Sequence, residues 1–223
     1  VYADAGSNVY GAGDSKSNNL FVQNAHQPTY GGMVDVFFFK LNKDGFMQWA
    51  TYYGGSAGDH NDGGVTGDRY GNIYLCGWTE SFDNISTPGS YQPAKGLIMD
   101  AFLAKFNSDG VRLWATFYGG DDEDRAHACA VDLNNDLYMS GTTPSLNAIS
   151  TVDAPQPECG GGVDIFIVKF TAEGMRFWGT YYGGSEDEHG RECDIDAEGN
   201  YYMTGYTASE NNIATHDAWQ PNW

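Results

Sequence analysis

Basic residues are scarce in this sequence: 11 lysines and arginines stand against 30 aspartates and glutamates, a formal net charge of −19 at pH 7. A field of that sign repels a phosphate backbone and an anionic membrane surface alike, which argues against nucleic acid as a partner. Long apolar runs are lacking as well, and a bilayer-spanning helix needs about eighteen or more such residues in a row, so membrane insertion by a helix is not expected. No segment sustains a helical apolar period, and alanine-, leucine- or lysine-rich stretches are few, which disfavours helices. Cysteine is limited to four residues without the spacing of a zinc site. Cys129 and Cys193 occupy one repeated position where Val1 and Val65 stand elsewhere, so they read as structural thiols in place of a buried aliphatic residue; a bridge between them is the minor alternative.

What the chain has instead is glycine, 30 residues, with 15 tyrosines and six tryptophans, a composition for strands and turns. These residues recur. Trp49, Trp114 and Trp178 fall in step, as do the glycine pairs Gly54–Gly55, Gly119–Gly120 and Gly183–Gly184. Further sets share the register: Gly13, Gly77, Gly141 and Gly205; Gln27, Gln92, Gln156 and Gln220; Asp4, Asp68, Asp132 and Asp196; Lys40, Lys105 and Lys169. A period of 64 to 65 residues built from short strands signals stacked four-stranded units.

Each unit reads as four strands, a to d. Strand a is short and ends at an aspartate, as in Val65 to Asp68, Cys129 to Asp132 and Cys193 to Asp196. A tight turn such as Arg69-Tyr70-Gly71-Asn72 leads into strand b, which runs to the registered glycine. Strand c starts at Asp35, Asp100 or Asp164, and a hairpin such as Ser108-Asp109-Gly110 leads to strand d with its tryptophan. Four sequential antiparallel strands repeated radially make β-propeller blades. The expected fold is therefore all-β, with blade units 1–55, 56–120 and 121–184 and a half blade 185–223, from a propeller of about seven blades. Val1 already sits inside a unit, so the sequence reads as a piece of a longer protein. Strand a is expected innermost and strand d outermost, because strand a carries small residues and strand d the bulky tryptophan.

Alternating hairpins put the b–c and d–a loops on one face and the short turns on the other. Every b–c loop carries an apolar residue seven positions before its glutamine: Leu20, Ile85, Ile149 and Ile213. The spacing predicts buried anchors, glutamines bonded to loop backbone, and ordered loops folded over their own blade.

The pattern resembles the bacterial β-propeller repeat family SBBP, through Asp164-Ile165-Phe166-Ile167-Val168-Lys169-Phe170, Gly174, Trp178-Gly179-Thr180-Tyr181-Tyr182-Gly183-Gly184-Ser185 and Asp196-Ala197-Glu198-Gly199-Asn200-Tyr201-Tyr202-Met203-Thr204-Gly205. The resemblance implies a secreted or cell-surface protein, often a type nine secretion substrate with its sorting domain elsewhere. It implies no shared catalytic residues.

Repeated ionisable residues read as structural, since a catalytic site breaks repeat symmetry; no catalytic residue is assigned. Asp68, Asp132 and Asp196 are expected to hold turns or pair with the lysines. The d–a loops gather Asp59, Asp62, Asp122, Asp124, Asp187 and Glu188. Clustered oxygen donors suit calcium, and the same carboxylates equally suit the capping of backbone N–H groups. His60, His127 and His189 read as solvated loop residues without a nucleophile beside them. Trp78, Tyr91, Tyr206 and Trp219 differ between units and lie in or beside the long-loop face, where they could stack on sugars, anchor a protein partner or pack the loops. The expected function is a noncatalytic extracellular scaffold that engages protein or surface glycan through that face. The alternative is the propeller domain of a secreted polysaccharide-degrading enzyme, which a carboxylate pair unique to one unit and facing a pocket would favour.

Overall fold

The computed structural model describes residues 1–62 and 64–221. The chain is all-β, with no helix among the described residues and strands joined in sequence into antiparallel sheets. The first sheet comprises β1 (Tyr2–Ala3), β2 (Val9–Ser15), β3 (Asp35–Leu41) and β4 (Met47–Tyr53). The second has β5 (Asp59–His60) and β6 (Val65–Gly67) side by side along β7 (Ile73–Thr79), then β8 (Asp100–Phe106) and β9 (Arg112–Tyr118). The third comprises β10 (Arg125–Val131), β11 (Leu137–Thr143), β12 (Asp164–Phe170) and β13 (Arg176–Tyr182). The pair β14 (Glu188–Ile195) and β15 (Tyr201–Thr207) completes the chain's strands. The first three sheets are consistent with four-stranded antiparallel propeller blades, the first strand of the second being split into β5 and β6, and β14–β15 with half a blade; we number them one to four in chain order.

The cores lie between blades. Phe102, Ala104 and Phe106 of β8 join Phe38, Trp49 and Tyr53 of blade one, while Ala101 and Leu103 of the same strand join Phe166, Val168 and Phe170 of blade three. Strict alternation along the strand thus sends one set of side chains to each neighbour, and every residue of β8 is buried. The first strands of successive blades pack on one another, β1 on β6, β6 on β10 and β10 on β14, which puts them on the axis side as expected. The tryptophans lie away from that side, between the outer strands. Trp49 donates to the Ser108 carbonyl at 3.0 Å and Trp114 to that of Ala172 at 3.2 Å, each in the c–d turn of the next blade. Lys40 and Lys105 reach the same two carbonyls at 3.0 Å. The turn glycine completes the latch: a Cβ on Gly110 or Gly174 would stand 2.9 Å from the Trp49 or Trp114 ring, and both backbones have positive φ (79° and 84°). Only glycine meets both demands without strain.

Two expectations about strand a need correction. It is not short in the third and fourth blades, where it spans Arg125–Val131 and Glu188–Ile195. A bulge shifts the register between Ala126 and Ala128 and between Gly190 and Cys193, and the bulged residues hid the strand's first half from a reading by alternation. Consequently His60, His127 and His189 are strand residues, not solvated loop residues.

The repeated aspartates do hold the a–b turns. Asp68 Oδ1 accepts from the N–H groups of Tyr70 and Asn72 at 2.9 Å, and Asp132 and Asp196 do the same in their blades. Lys169 pairs with Asp132 at 3.1 Å and Asp136 at 3.0 Å, whereas Lys105 stands 3.9 Å from Asp68 and prefers the next blade's carbonyl. Of the loop anchors, Ile85 and Ile149 are fully buried, but Leu20 and Ile213 only half so. The reason is the neighbour: Tyr53 and Tyr118 on the preceding blade's last strand donate to the carbonyls of Ile85 and Ile149 and roof them. Leu20 has no such strand before it among the described residues; the Ile213 carbonyl does accept from Tyr182 in the same way, but no outer strands of its own blade stand beside it. Gln27, Gln92 and Gln156 each accept from the first glycine N–H of the following pair at 3.1 Å and donate to the aspartate opening strand c. Gln220 makes no such bond among the described residues. All four cysteines are free thiols; Cys76 and Cys129 sit in the core between blades two and three.

Candidate functional site at the inner rim

The six acidic candidates do not form one group. Asp59, Asp124 and Glu188 occupy the same place in three different blades, buried where strand a begins. Each accepts from the second glycine of the preceding pair, Gly55 at 2.8 Å, Gly120 at 2.7 Å and Gly184 at 2.7 Å. Hydroxyls complete the set: Thr79 and Ser81 on Asp59, Ser145 on Asp124, Thr207 on Glu188. Burial pushes the Asp59 carboxyl up to about 6 and that of Asp124 to about 7. Asp122 and Asp187 serve loop N–H groups, those of Glu123 and Val163. Among the described residues no three His, Cys, Asp or Glu side chains converge as metal ligands. The carboxylates of this loop set are thus observed in the capping geometry.

Asp62 differs. It lines a cleft of about 290 Å³ together with Arg125, His127, His189, Arg191 and Tyr206. Glu123, Pro144 and Val163, at the ends of d–a and b–c loops, form its rim, so the cleft opens where the inner strands meet the long-loop face. The strand register explains who stands there. His60, Arg125 and His189 share one repeat position, opposite Trp78, Thr142 and Tyr206. Two residues on along the first strand come Asp62, His127 and Arg191. These are the positions at which the repeat disagrees with itself.

Contacts across blades knit the cluster. Asp14 on β2 meets His60 Nδ1 at 2.6 Å and accepts from the Asn61 N–H at 2.8 Å. Asp62 Oδ2 accepts from Trp78 Nε1 at 3.1 Å and lies 3.2 Å from His127 Nδ1, and the His127 contact holds the Asp62 carboxyl below its usual range. Arg125 pairs with Glu123 at 2.9 Å. Arg191 has no carboxylate within ion-pair distance among the described residues; it lies over the Tyr206 ring at 5.5 Å.

Of the four aromatic candidates the structure brings two to this rim. The Trp78 ring is stacked on His60 at 3.9 Å and carries the Arg125 guanidinium at 5.0 Å; the Tyr206 ring is stacked on His189 at 4.8 Å and carries Arg191. Their observed partners are cations and imidazoles. Tyr91 lies apart in its long loop, against Tyr118 and Phe170 with Arg176 over it at 4.9 Å, a contact between blades two and three. Trp219 is in the same register and fully exposed. Arg125 and Arg191 were not singled out from the sequence, and His127 was read there as a solvated loop residue, because the hidden half of strand a left their register undefined; disagreement among aligned repeats was the signal that could have found them.

Fold and repeat define a β-propeller repeat scaffold. Residues 48–85 match the family model of the SBBP beta-propeller repeat. It is also 25% identical over 219 residues to an uncharacterized WD repeat-containing protein, L264, of Acanthamoeba polyphaga mimivirus, an alignment that covers 82% of this chain and 15% of the relative. The chain therefore spans only a small part of that relative's length.

Proposed function

We propose that this chain is a noncatalytic binding module of an extracellular or cell-surface β-propeller of about seven blades, which engages a protein or glycan partner through its long-loop face, with the inner-rim cleft as the centre of contact. One observation carries the reading: residues that break the repeat, Asp62, His127 and Arg191 with His60, Arg125 and His189, collect at that rim while the opposite face has only short turns. A scaffold's framework repeats; its recognition residues need not.

The enzyme alternative has one point in its favour, the Asp62 and Glu123 carboxylates in a single cleft. Against it, each carboxylate already has a cationic or imidazole partner, Asp62 in His127 at 3.2 Å and Glu123 in Arg125 at 2.9 Å. The test is a panel of immobilised polysaccharides and surface proteins probed with the chain and with Tyr206→Ala and Trp219→Ala variants, alongside an assay for new reducing ends. The expected outcome is binding weakened at least threefold by Tyr206→Ala, with no reducing ends released. Release that Asp62→Asn abolishes would establish the enzyme instead.

A further inference from the structure

Resting on the reading of the long-loop face as the contact face, we infer that the partner is a protein anchored on an apolar knob of blade two, Phe82, Leu97 and Ile98, which fits an apolar pocket bordered by lysines or arginines. The three side chains are 67%, 86% and 46% exposed, and they come from the two ends of one long loop. Lys95 joins them. Its Nζ lies 4.0 Å from the centre of the Phe82 ring and donates to the Ile98 carbonyl at 2.7 Å and the Gly96 carbonyl at 3.1 Å. A buried lysine bonded to two carbonyls beneath an exposed ring holds the knob in one shape before a partner arrives.

Apolar residues exposed singly are ordinary, whereas a contiguous set rimmed by polar groups marks a protein contact. The repeat shows that the framework does not need this set. Ser17, Gly32 and Met33 hold the three places in blade one, and Leu146, Gly161 and Gly162 in blade three, so of these blades only blade two is apolar at all three. Tyr30 and Cys159 stand where blade two has Lys95. Blade two lies between two four-stranded sheets, so the knob is exposed with both neighbouring blades in place.

Charge decides the kind of partner. Asp83 adjoins Phe82 and Glu80 faces Lys95, while on the other side the Asp124 N–H bonds the Met99 carbonyl at 2.9 Å and brings Asp121 and Asp122 alongside. With the chain's net charge of −19, this rim favours a basic surface opposite and repels an acidic one. A glycan would leave hydroxyl groups unpaired against leucine and isoleucine, which disfavours one here. The knob also continues into the cleft, since Arg125 Nε donates to Met99 Sδ at 3.3 Å, beside Ile98.

The test is fluorescence anisotropy of three labelled peptides with the whole chain: an amphipathic leucine–lysine peptide, its leucine–glutamate counterpart, and a serine–lysine counterpart that keeps the charge without the apolar face. The leucine–lysine peptide should bind at least tenfold tighter than either. Phe82→Ala and, as a second variant that leaves the Lys95 contact in place, Leu97→Ser should each weaken it about tenfold, the loss expected of an interface hot spot. Phe21→Ala, equally exposed but in the long loop of blade one, should not. Both knob side chains face solvent, so neither substitution opens a core cavity. Either counterpart binding as tightly, or undiminished binding in both knob variants, overturns the inference. Binding to phosphatidylcholine vesicles that Phe82→Ala abolishes also overturns it, by making the knob a lipid contact. The two readings fail separately. Knob-dependent peptide binding, with every macromolecular partner indifferent to Tyr206→Ala, removes only the cleft as centre of contact, and a partner lost in Tyr206→Ala without knob-dependent peptide binding removes only this inference.

Discussion

Asp124 shows how one buried side chain serves structure at a cost in charge. It is closed to solvent, with three donors around it and a carboxyl raised to about 7 by burial. A carboxyl raised in the folded state gives stability that is complete below its unfolded value, about 3.9, and is lost as pH climbs through the folded one. Moving from pH 5 to pH 8 should therefore cost about 2 to 3 kcal/mol through Asp124 alone, at about 1.4 kcal/mol for each unit of pH between those limits. Asp124→Asn, which keeps the shape without the charge, should flatten that part of the pH dependence in urea melts. Equal slopes for variant and wild type would show that the hydroxyl and N–H donors already compensate the charge. Burial decides a second residue-scale contrast: Ile149→Ala should cost roughly 2 to 4 kcal/mol, and the half-buried Ile213→Ala clearly less, because the cavity term needs a closed surround.

At the scale of the element, the c–d turn acts as the catch between blades. Gly174 and Gly199 have nearly the same φ, 84° and 87°, but a Cβ on Gly174 meets the Trp114 ring at 2.9 Å and one on Gly199 meets nothing within 4 Å. Alanine at either position carries the left-handed penalty, about 1 to 2 kcal/mol. At Gly174 overpacking adds about 1 to 3 kcal/mol and strips the Trp114 and Lys105 bonds from the Ala172 carbonyl. Thermal melts should rank Gly174→Ala well below Gly199→Ala. Identical melting temperatures would mean that the latch contributes nothing beyond the turn itself.

Across the whole molecule, stability follows how many neighbours a blade has, since the cores lie between sheets. β11 is buried along its whole length, whereas β15 in the two-stranded fourth blade is mostly exposed. Hydrogen exchange should find β11 amides protected by the full unfolding free energy and β15 amides opening locally, at least a hundredfold faster. Uniform protection would instead indicate a single cooperative unit.

The sequence by itself determined the strands, their hairpin order, the turn aspartates, the glutamine bonds and the inner place of strand a, because each depends on chemistry that recurs at a fixed interval. Period and alternation are local properties, and repetition of Trp49, Gly54 and Asp68 in step made them readable. Only the tertiary structure decided what happens where blades meet. The latch of Trp114 on Gly174, the roofing of Ile149 by Tyr118, and the partnering of Asp62 with His127 all join residues from different units, and no rule of spacing within a unit reaches them; the bulge that extends strand a lies within its unit but breaks the alternation by which strands are read. The same holds for the cleft. Its residues differ between repeats, so the regularity that revealed the scaffold passed over them, and their meeting at one rim is a consequence of how four sheets pack around a common side.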